Sequence, residues 1–366
     1  MFSRIPFQRV NWKTSSFLIG TFILTLTVVP LYLWKFGLDW FQVVSFLAMF
    51  TASGLSITLG YHRLFSHLAF KAHWSVRLFT LVFGAAAFEN SALMWASDHR
   101  RHHKHVDHDD DPYDISKGFF YAHIGWLLFK MEPEAPFDNV PDLDRDPLVR
   151  WQHRYIYLLG MVVGFALPAL VGWLWGGAQA ALGAFLLAGV AKVVFLQHCT
   201  FFINSACHTI GSQPYSSRCS ARDSWLMALF TFGEGYHNYH HEFQHDYRNG
   251  VKPWQFDPTK WAIWLLSKVG LADQLRRVPS EKILLSQFQE AQRAVQAKLS
   301  EVPPHAPHHS VLMEIYERLQ ALASEWAEYR AQKIEISKEM LKTWQQELRA
   351  ALAQLRALDL NQAALV

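Results

Sequence analysis

The sequence predicts an all-α integral membrane protein, in which four transmembrane helices form two hairpins and a cytosolic helical cap holds a histidine-rich metal site. Two observations indicate this fold class. Hydrophobic residues make up 51% of the 366 residues and charged residues only 18%, and the apolar residues are concentrated in long blocks. The 19 histidines occur mainly in short clusters, which lie where the predicted helices leave the membrane.

Four apolar segments are long enough to cross a bilayer, which takes about 20 helical residues. They lie near residues 16–34, 39–59, 155–175 and 178–202. A KFGLD turn separates the first two segments and a GG turn the last two, so we expect two helical hairpins. The membrane-bound domain is then residues 1–275, with a cap formed by residues 60–154 and 203–275.

Basic residues predict the orientation of these segments, because Lys and Arg are enriched in cytoplasmic loops. Arg9 and Lys13 precede the first segment, and the long middle loop contains Arg63 and Arg100. The outer turns carry only Lys35. We therefore expect both termini and the middle loop, with its histidines, to be cytoplasmic.

A fifth apolar stretch, residues 78–95, is shorter and contains Glu89 and Asn90. A span at this position would put the histidine clusters on opposite sides of the membrane. We therefore interpret it as an interfacial or re-entrant helix.

Residues 276–366 form a C-terminal tail with an amphipathic pattern. Apolar residues recur at three- or four-residue spacing from Leu319 to Leu355, which predicts a long amphipathic helix beginning near Ser280. The apolar face would pack on its own domain or, alternatively, on a partner or a second copy.

Four clusters supply the candidate metal ligands, and they read HRLFSH, HRRHH, NSACH and HNYHH. The candidates are His62, His67, His99, His102, His103, Asn204, His208, His237, His240 and His241. Residues three and four apart share a helix face, so each HxxHH cluster presents its imidazoles together. Neutral imidazole is a common metal ligand, and this number of ligands suits two ions. The lack of cysteine ligands argues against structural zinc, and nitrogen ligation with open positions suits redox iron.

Several carboxylates lie near these clusters in the sequence. Metal sites commonly use such groups to hold a ligating imidazole in place. The candidates are Asp98, Asp107, Asp111, Glu234, Glu242 and Asp246. For each of them, a solvated charge in a loop is about as good an explanation as a contact with a ligating imidazole.

The motifs HRLFSH, DHRRHHKHVDHDDDPYD, NSACH, GEGYHNYHH and KGFFYAHIGWLLFK resemble those of membrane-bound fatty acyl desaturases, in particular the stearoyl-CoA desaturase type. The resemblance covers roughly residues 15–270 and not the tail. It implies two irons, held by the nine histidines named above, with Asn204 acting through a water. It also implies an O2-dependent removal of two hydrogens from an acyl chain, usually leaving a cis double bond at the ninth carbon.

The resemblance also implies contacts with the substrate head group. Asn90 and Asp98 match residues that bind CoA, but Ser97 replaces an Arg, and Lys130-Met131 replaces an Arg-Lys pair. Acyl-CoA is therefore the expected substrate, with acyl chains on a phospholipid or a carrier protein as alternatives.

Further substrate contacts are expected along the acyl chain. Trp126 lies in the matching KGFFYAHIGWLLFK segment. The methyl end of the tunnel would lie against the second helix, where Phe50 and Gly54 would set the chain length. Ordinary helix packing is an equally good explanation for these two residues.

The resemblance and the absence of one motif also predict the partners and the location of the chain. No HPGG haem motif occurs in the sequence, so we expect a separate electron donor such as a ferredoxin-type reductase. A desaturase domain without a fused haem domain resembles bacterial enzymes, and the chain would then be a multi-pass protein of the inner membrane. The net charge of +3 gives no reason to expect a nucleic acid partner.

Two other function classes are compatible with the clusters. A related histidine-box hydroxylase would insert oxygen into alkanes or lipids with a similar metal centre. A metal transporter would need polar ligands at bilayer depth, whereas the clusters here lie at the ends of the predicted spans.

Overall fold

A computed structural model gives the fold, and the structure describes residues 7–130 and 136–363. The chain divides into two compact units. The first comprises the residues up to Gly211 and the segment Cys219–Arg277, and the second comprises Ser212–Arg218 and the residues from Val278 onward.

Helices account for most of the first unit. Its α-helices are α1 (Trp12–Phe36), α2 (Trp40–Leu55), α3 (Trp74–Ala85), α4 (Ala92–His105), α5 (Trp126–Leu128), α6 (Pro141–Asp144), α7 (Pro147–Met161), α8 (Leu167–Ala184), α9 (Lys192–Ser205), α10 (Trp225–Phe230), α11 (His237–Glu242) and α12 (Pro258–Lys268). Two short strands, β1 (Lys71–Ala72) and β2 (Ala272–Asp273), pair in antiparallel orientation.

Three helical runs within the described residues are long and apolar enough to cross a membrane. They are Trp12–Phe36, Trp40–Ser66 and the 62-residue run Pro147–His208. The second run is α2 continued by a π-helical stretch, Ser56–Ser66. In the third, Gly176 and Gly177 depart from helical dihedral angles, and Gly177 has a φ of 67°. The structure thus contains three such runs, and division of the third into two spans stays a prediction.

The turn between α1 and α2 has a clear local cause. Gly37, at the end of α1, has a φ of 75°, which glycine adopts readily. The Asp39 carboxylate accepts hydrogen bonds from the N–H groups of Phe41 and Gln42, and the Gln42 side chain accepts one from the Asp39 N–H. This reciprocal cap stabilises the first turn of α2 by about 1 kcal/mol.

The apolar stretch at residues 78–95 is not one helix. Helix α3 ends at Ala85, and a turn follows in which Phe88 and Asn90 have φ values of 56° and 67°. These left-handed residues interrupt the helix, and α4 begins after Ser91, whose hydroxyl caps it. The 12 residues of α3 are too few to cross a bilayer, and an interfacial location for α3 stays a prediction.

The core of the first unit lies between the stretch Ser56–Ser66 and helices α3 and α4. Its buried residues include Ile57, Tyr61, Leu81 and Leu93. This packing places one face of the π-helical stretch against α4. The histidines that these two elements carry are thereby held near each other.

The C-terminal unit contains three helices instead of the one long helix expected. They are α13 (Ser280–Glu301), α14 (Pro307–Ala331) and α15 (Lys338–Ala363). Pro303 and Pro304 lie between α13 and α14, and α14 begins at Pro307. Lys333, with a φ of 55°, lies between α14 and α15. The apolar faces pack together around Phe288, Leu319 and Trp344.

Candidate metal centre

Nine histidines converge in the first unit and form two groups. The first group contains His62, His67, His99, His103 and His240, and the second contains His102, His208, His237 and His241. Within each group, one potential ligand atom of every member lies within 4.8 Å of the others. These are the nine histidines that the sequence clusters predict as ligands.

Helices α4 and α11 each contribute to both groups. On α4, His99 and His103 join the first group, while His102 joins the second. On α11, His237 and His241 join the second group, while His240 joins the first. Residues four apart lie on the same side of a helix, so each i, i+4 pair serves one group and the intervening histidine serves the other.

The remaining ligand candidates come from chain segments beside these helices. His62 lies on the π-helical stretch Ser56–Ser66, and His67 follows directly after it. His208 ends the short turn Ala206–His208, which continues α9.

The ring nitrogens of each group face inward. The Nε2 atoms of His67 and His99 are 2.8 Å apart, and those of His103 and His240 are 2.9 Å apart. In the second group, the Nε2 atoms of His208 and His237 are 3.1 Å apart. Two nitrogens bound at right angles to one ion, each about 2.1 Å from it, would be roughly 3.0 Å apart, so the spacing fits a metal ion in each group.

Burial favours the neutral form of most of these imidazoles. It lowers the pKa of His67, His99, His103, His237, His240 and His241 well below the usual value, and repulsion from neighbouring histidines lowers it further. A neutral imidazole has a free lone pair, and this is the form that binds a metal ion. The donor set of the two groups therefore suits a nitrogen-bound transition metal such as iron.

Carboxylates orient two of the rings through their outer nitrogens. The Nδ1 atom of His102 is 2.8 Å from Oδ1 of Asp111, and the Nδ1 atom of His62 is 2.8 Å from Oε2 of Glu234. An imidazole that donates its Nδ1 proton to a carboxylate keeps Nε2 unprotonated. Both rings therefore direct a lone pair into the metal groups.

Glu234 is itself held by the buried Arg63. The Nη2 atom of Arg63 donates to Glu234 Oε1 at 2.9 Å and to Asp257 Oδ1 at 2.9 Å. Burial alone would raise the pKa of Glu234, but the charge of Arg63 and the hydrogen bonds from Arg63 and His62 outweigh it and lower this pKa. Arg63 was not among the predicted site residues, and its position next to His62 was the only sequence signal.

The other nearby carboxylates have different surroundings. Asp246 accepts hydrogen bonds from Tyr239 and Arg248. Burial raises the pKa of Asp98 to about 6, although Arg101 acts in the opposite direction. None of these contacts involves a histidine of the two groups.

A mainly apolar cavity adjoins the first histidine group, since His62 and His99 belong to its wall. Five other residues predicted from the sequence also line it, namely Asn90, Asp98, Trp126, Asn204 and Glu234. The structure thus brings Asn204 and three of the proposed substrate contacts together beside the histidines.

Other proposed substrate residues are not among the residues found to line this cavity. Phe50 packs in an aromatic cluster, with its ring centroid 5.3 Å from those of both Phe195 and Phe232. Gly54 also faces the Phe232 ring. The backbone N–H of Lys130 donates to the Arg9 carbonyl, and Met131 lies outside the described residues.

Glu89, Trp95 and Thr200 also line the cavity but were not predicted as site residues. Thr200 Oγ1 donates to Glu89 Oε1 at 2.9 Å. Burial raises the pKa of Glu89 to about 8, even though hydrogen bonds from Thr200 and Trp95 lower it. The sequence signal for Glu89 was an acidic residue within an apolar stretch.

The fold and site define a helical protein with membrane-length apolar runs and a candidate two-metal histidine centre. The chain belongs to the fatty acid desaturase family, whose sequence profile, described as "Fatty acid desaturase", matches residues 7–266.

Individual proteins are also similar to this chain. It is 39% identical over 302 residues to acyl-CoA desaturase 1 of Saccharomyces cerevisiae, which covers 81% of this chain and 57% of the yeast protein. It is 35% identical over 266 residues to human stearoyl-CoA desaturase, covering 71% of each chain. It is 33% identical over 272 residues to the sn-1 stearoyl-lipid 9-desaturase of Anabaena variabilis, covering 73% of this chain and 94% of that protein.

The chain thus spans less than two thirds of the length of the yeast relative. The yeast and human relatives give no support to the predicted bacterial origin.

Proposed function

We propose that this chain is an acyl-CoA desaturase, which uses two irons and O2 to introduce a cis double bond, at the ninth carbon, into a saturated long-chain acyl-CoA. The observation that carries the proposal is the pair of inward-facing, mostly buried histidine groups beside a mainly apolar cavity. Membership of the fatty acid desaturase family and the names of the yeast and human relatives support it.

The proposed ligands are the nine histidines of the two groups, with Asn204 acting through a water. When bound, the irons supply the oxidising power that an unactivated C–H bond requires and that no amino-acid side chain provides. The protein's part is to keep the imidazoles neutral and oriented. Asp111 and Glu234 hold the outer nitrogens of His102 and His62 for this purpose.

The acyl chain would occupy the cavity beside His62 and His99. The choice of carbon would then be a matter of positioning, because the methylene that lies nearest the irons reacts. Asn90, Asp98 and Trp126 would contact the part of the substrate near the thioester, and Lys130 would reach the CoA head group.

We also propose the finer topology. The break at Gly176 and Gly177 supports division of the third apolar run into two spans, which gives four spans in two hairpins. Residues 1–275 would form the membrane-bound domain and residues 276–366 the tail. With the termini and the metal centre cytoplasmic in the inner membrane, a separate ferredoxin-type reductase would deliver electrons.

A phospholipid-bound acyl chain is the second candidate substrate. Ser97, which takes the place of a head-group arginine, is 2% exposed, and its hydroxyl donates to Asn139 Oδ1 at 2.8 Å. This side chain therefore gives no cationic contact to CoA. The similarity to a protein named as a stearoyl-lipid desaturase favours the same alternative.

The test is expression in a bacterial host that lacks unsaturated fatty acid synthesis, with derivatisation and gas chromatography–mass spectrometry of total fatty acids. Three variants are compared with the unmodified chain: His103→Ala in the first group, His241→Ala in the second, and His305→Ala, an exposed histidine of the C-terminal unit. We expect cis-9 monounsaturated products from the unmodified chain and from His305→Ala, and none from the other two.

Hydroxylated chains in place of unsaturated ones would replace the proposal with a hydroxylase. No product, with iron and a reductase supplied, would reject it. Purified protein given stearoyl-CoA or stearoyl phospholipid separately then distinguishes the two substrates.

A further inference from the structure

We propose that Ser220 and Asp107 form a positioning pair that sets the orientation and the tautomer of His208 and so completes the second metal group. The inference deepens the proposed function, because it rests on the proposed two-iron site. Ser220 lies in the loop before α10, Asp107 lies in the turn after α4, and His208 ends the turn after α9. Three separate segments therefore meet at one imidazole.

The contacts form a continuous chain from the imidazole to the carboxylate. The Nδ1 atom of His208 is 2.7 Å from the Ser220 hydroxyl oxygen. That hydroxyl donates to Asp107 Oδ1 at 2.5 Å, and the Ser220 backbone N–H donates to Asp107 Oδ2 at 2.6 Å. Both carboxylate oxygens of Asp107 thus accept hydrogen bonds from the same serine.

These contacts determine which nitrogen of His208 carries the proton. Ser220 donates its single hydroxyl proton to Asp107, so this proton is not available to His208. The serine oxygen must then accept from His208, which places the imidazole proton on Nδ1. Nε2 is left with a free lone pair, and it lies 3.1 Å from Nε2 of His237 within the second group.

Two other rings of the groups meet a carboxylate directly, His62 at Glu234 and His102 at Asp111. His208 reaches its carboxylate through a hydroxyl instead. The serine therefore transmits to His208 the orientation and the proton position that the direct contacts give to the other two.

The turn that carries Asp107 serves two ligands of the same group. The Asp107 N–H donates to Oδ2 of Asp111, which holds His102. Asp107 has a φ of 64°, a left-handed conformation that Asp and Asn tolerate better than most residues. His102 and His208 are thus oriented from one short segment.

The test measures Fe(II) binding by the purified full-length protein under anaerobic conditions, by titration with competition from a chelator. The variants are Ser220→Ala, Ser220→Thr, which keeps a hydroxyl, and Asp107→Asn, which suits the left-handed backbone but lacks one acceptor oxygen. Ser217→Ala is the matched control, because Ser217 is exposed and its backbone N–H, which bonds Glu290, is unchanged by the substitution.

We expect two irons per chain for the unmodified protein, Ser217→Ala and Ser220→Thr. In Ser220→Ala and Asp107→Asn, one iron should bind as before, and the affinity for the other should fall by about 10- to 100-fold. The double variant Ser220→Ala/Asp107→Asn should lose no more than the more affected single variant, because both changes break one contact chain.

Three results would overturn the inference. The first is that Ser220→Ala binds both irons with unchanged affinity. The second is that the affinity for both irons falls equally and the unfolding temperature falls as well. The third is that the losses of iron affinity add in the double variant. If the unmodified protein does not bind two irons, the proposed function fails instead, so the two failures are distinguishable.

Discussion

The Nε2 atoms of His62 and His240 lie 3.0 Å apart, although the two residues are separated by 178 positions in the chain. His62 is on the π-helical end of the second apolar run, and His240 is on the six-residue helix α11. The outer nitrogen of His62 contacts Glu234, which lies just before α11 and is bonded by Arg63. Two contacts therefore join the π-helical stretch to the segment around α11. One is between the ring nitrogens of His62 and His240, and the other is the buried ion pair of Arg63 and Glu234.

Neutralising Glu234 should weaken both the fold and the first metal group. Glu234→Gln leaves Arg63, which is 1% exposed, with Asp257 as its remaining anionic partner and removes the carboxylate from His62. Losing one partner of a buried ion pair should lower the free energy of unfolding by about 3 kcal/mol. Iron affinity should fall by roughly 10- to 100-fold. Thermal unfolding and iron titration measure the two effects.

Glu317→Gln is a suitable comparison for this variant, because Glu317 is an exposed carboxylate of the C-terminal unit. It should behave as the unmodified protein. A Glu234→Gln protein with unchanged stability would show that the ion pair contributes nothing net.

Enlarging Gly54 should shorten the preferred acyl chain. A Cβ atom at this position would overlap the Phe232 ring, so the ring must move, and Gly54→Leu would require a larger shift. Overpacking of this kind costs about 1–3 kcal/mol. If the methyl end of the acyl chain reaches this aromatic cluster, the ratio of 16-carbon to 18-carbon monounsaturated products should rise.

Gly20→Ala is the matched control. Gly20 also lies in a helix, and the added Cβ would meet no neighbouring side chain within 4 Å. That change should leave the product ratio unaltered and add up to about 1 kcal/mol of helix stability. The same product ratio in Gly54→Leu, with activity retained, would mean that Phe50 and Gly54 only pack the helix.

Replacing Glu89 by Gln should change how stability depends on pH. Burial raises the pKa of Glu89 from 4.5 to about 8, so the folded state holds this proton more tightly than the unfolded state. Between these two values the unmodified protein loses stability as the pH rises, by about 1.4 kcal/mol per pH unit from this group. Glu89→Gln cannot lose a proton, so its advantage over the unmodified protein should grow from pH 5 to pH 8.

Unfolding temperatures of the two proteins in the same detergent, at pH 5 and pH 8, measure this difference. Other titratable groups near Glu89 are Lys192, Tyr61 and Cys199, and they are the same in both proteins. A constant difference in unfolding temperature across this range would contradict the raised pKa of Glu89.

Truncating Phe288 should destabilise the C-terminal unit. This side chain is fully buried between the three helices, so Phe288→Ala removes a large apolar side chain and leaves a cavity. The expected cost is about 3–5 kcal/mol. Hydrogen exchange of α13–α15 should accelerate accordingly, whereas truncation of Met313, which is 36% exposed, should have little effect. Unchanged exchange in Phe288→Ala would mean that the three helices do not form a cooperative core.

Much of the candidate site could be predicted from sequence because its signals are local. The spacing of histidines within HxxHH sets which of them share a helix face, and all nine predicted histidines do meet in the structure. Apolar run length likewise predicted most of the long helices. The expectation of one continuous helix was wrong for residues 78–95 and for the tail, where left-handed residues such as Asn90 and Lys333 interrupt the apolar pattern.

The sequence by itself determined the ligand types and the helices that carry them, since both depend on residue identity and short-range spacing. Only the tertiary structure decided how α4 and α11 divide their histidines between the two groups. It also decided which side chains bond the outer nitrogens of these histidines. Ser220 acts 12 positions from His208 and 113 from Asp107, and Arg63 acts 171 positions from Glu234. Such contacts depend on how the packed helices bring distant segments together, which no local pattern encodes.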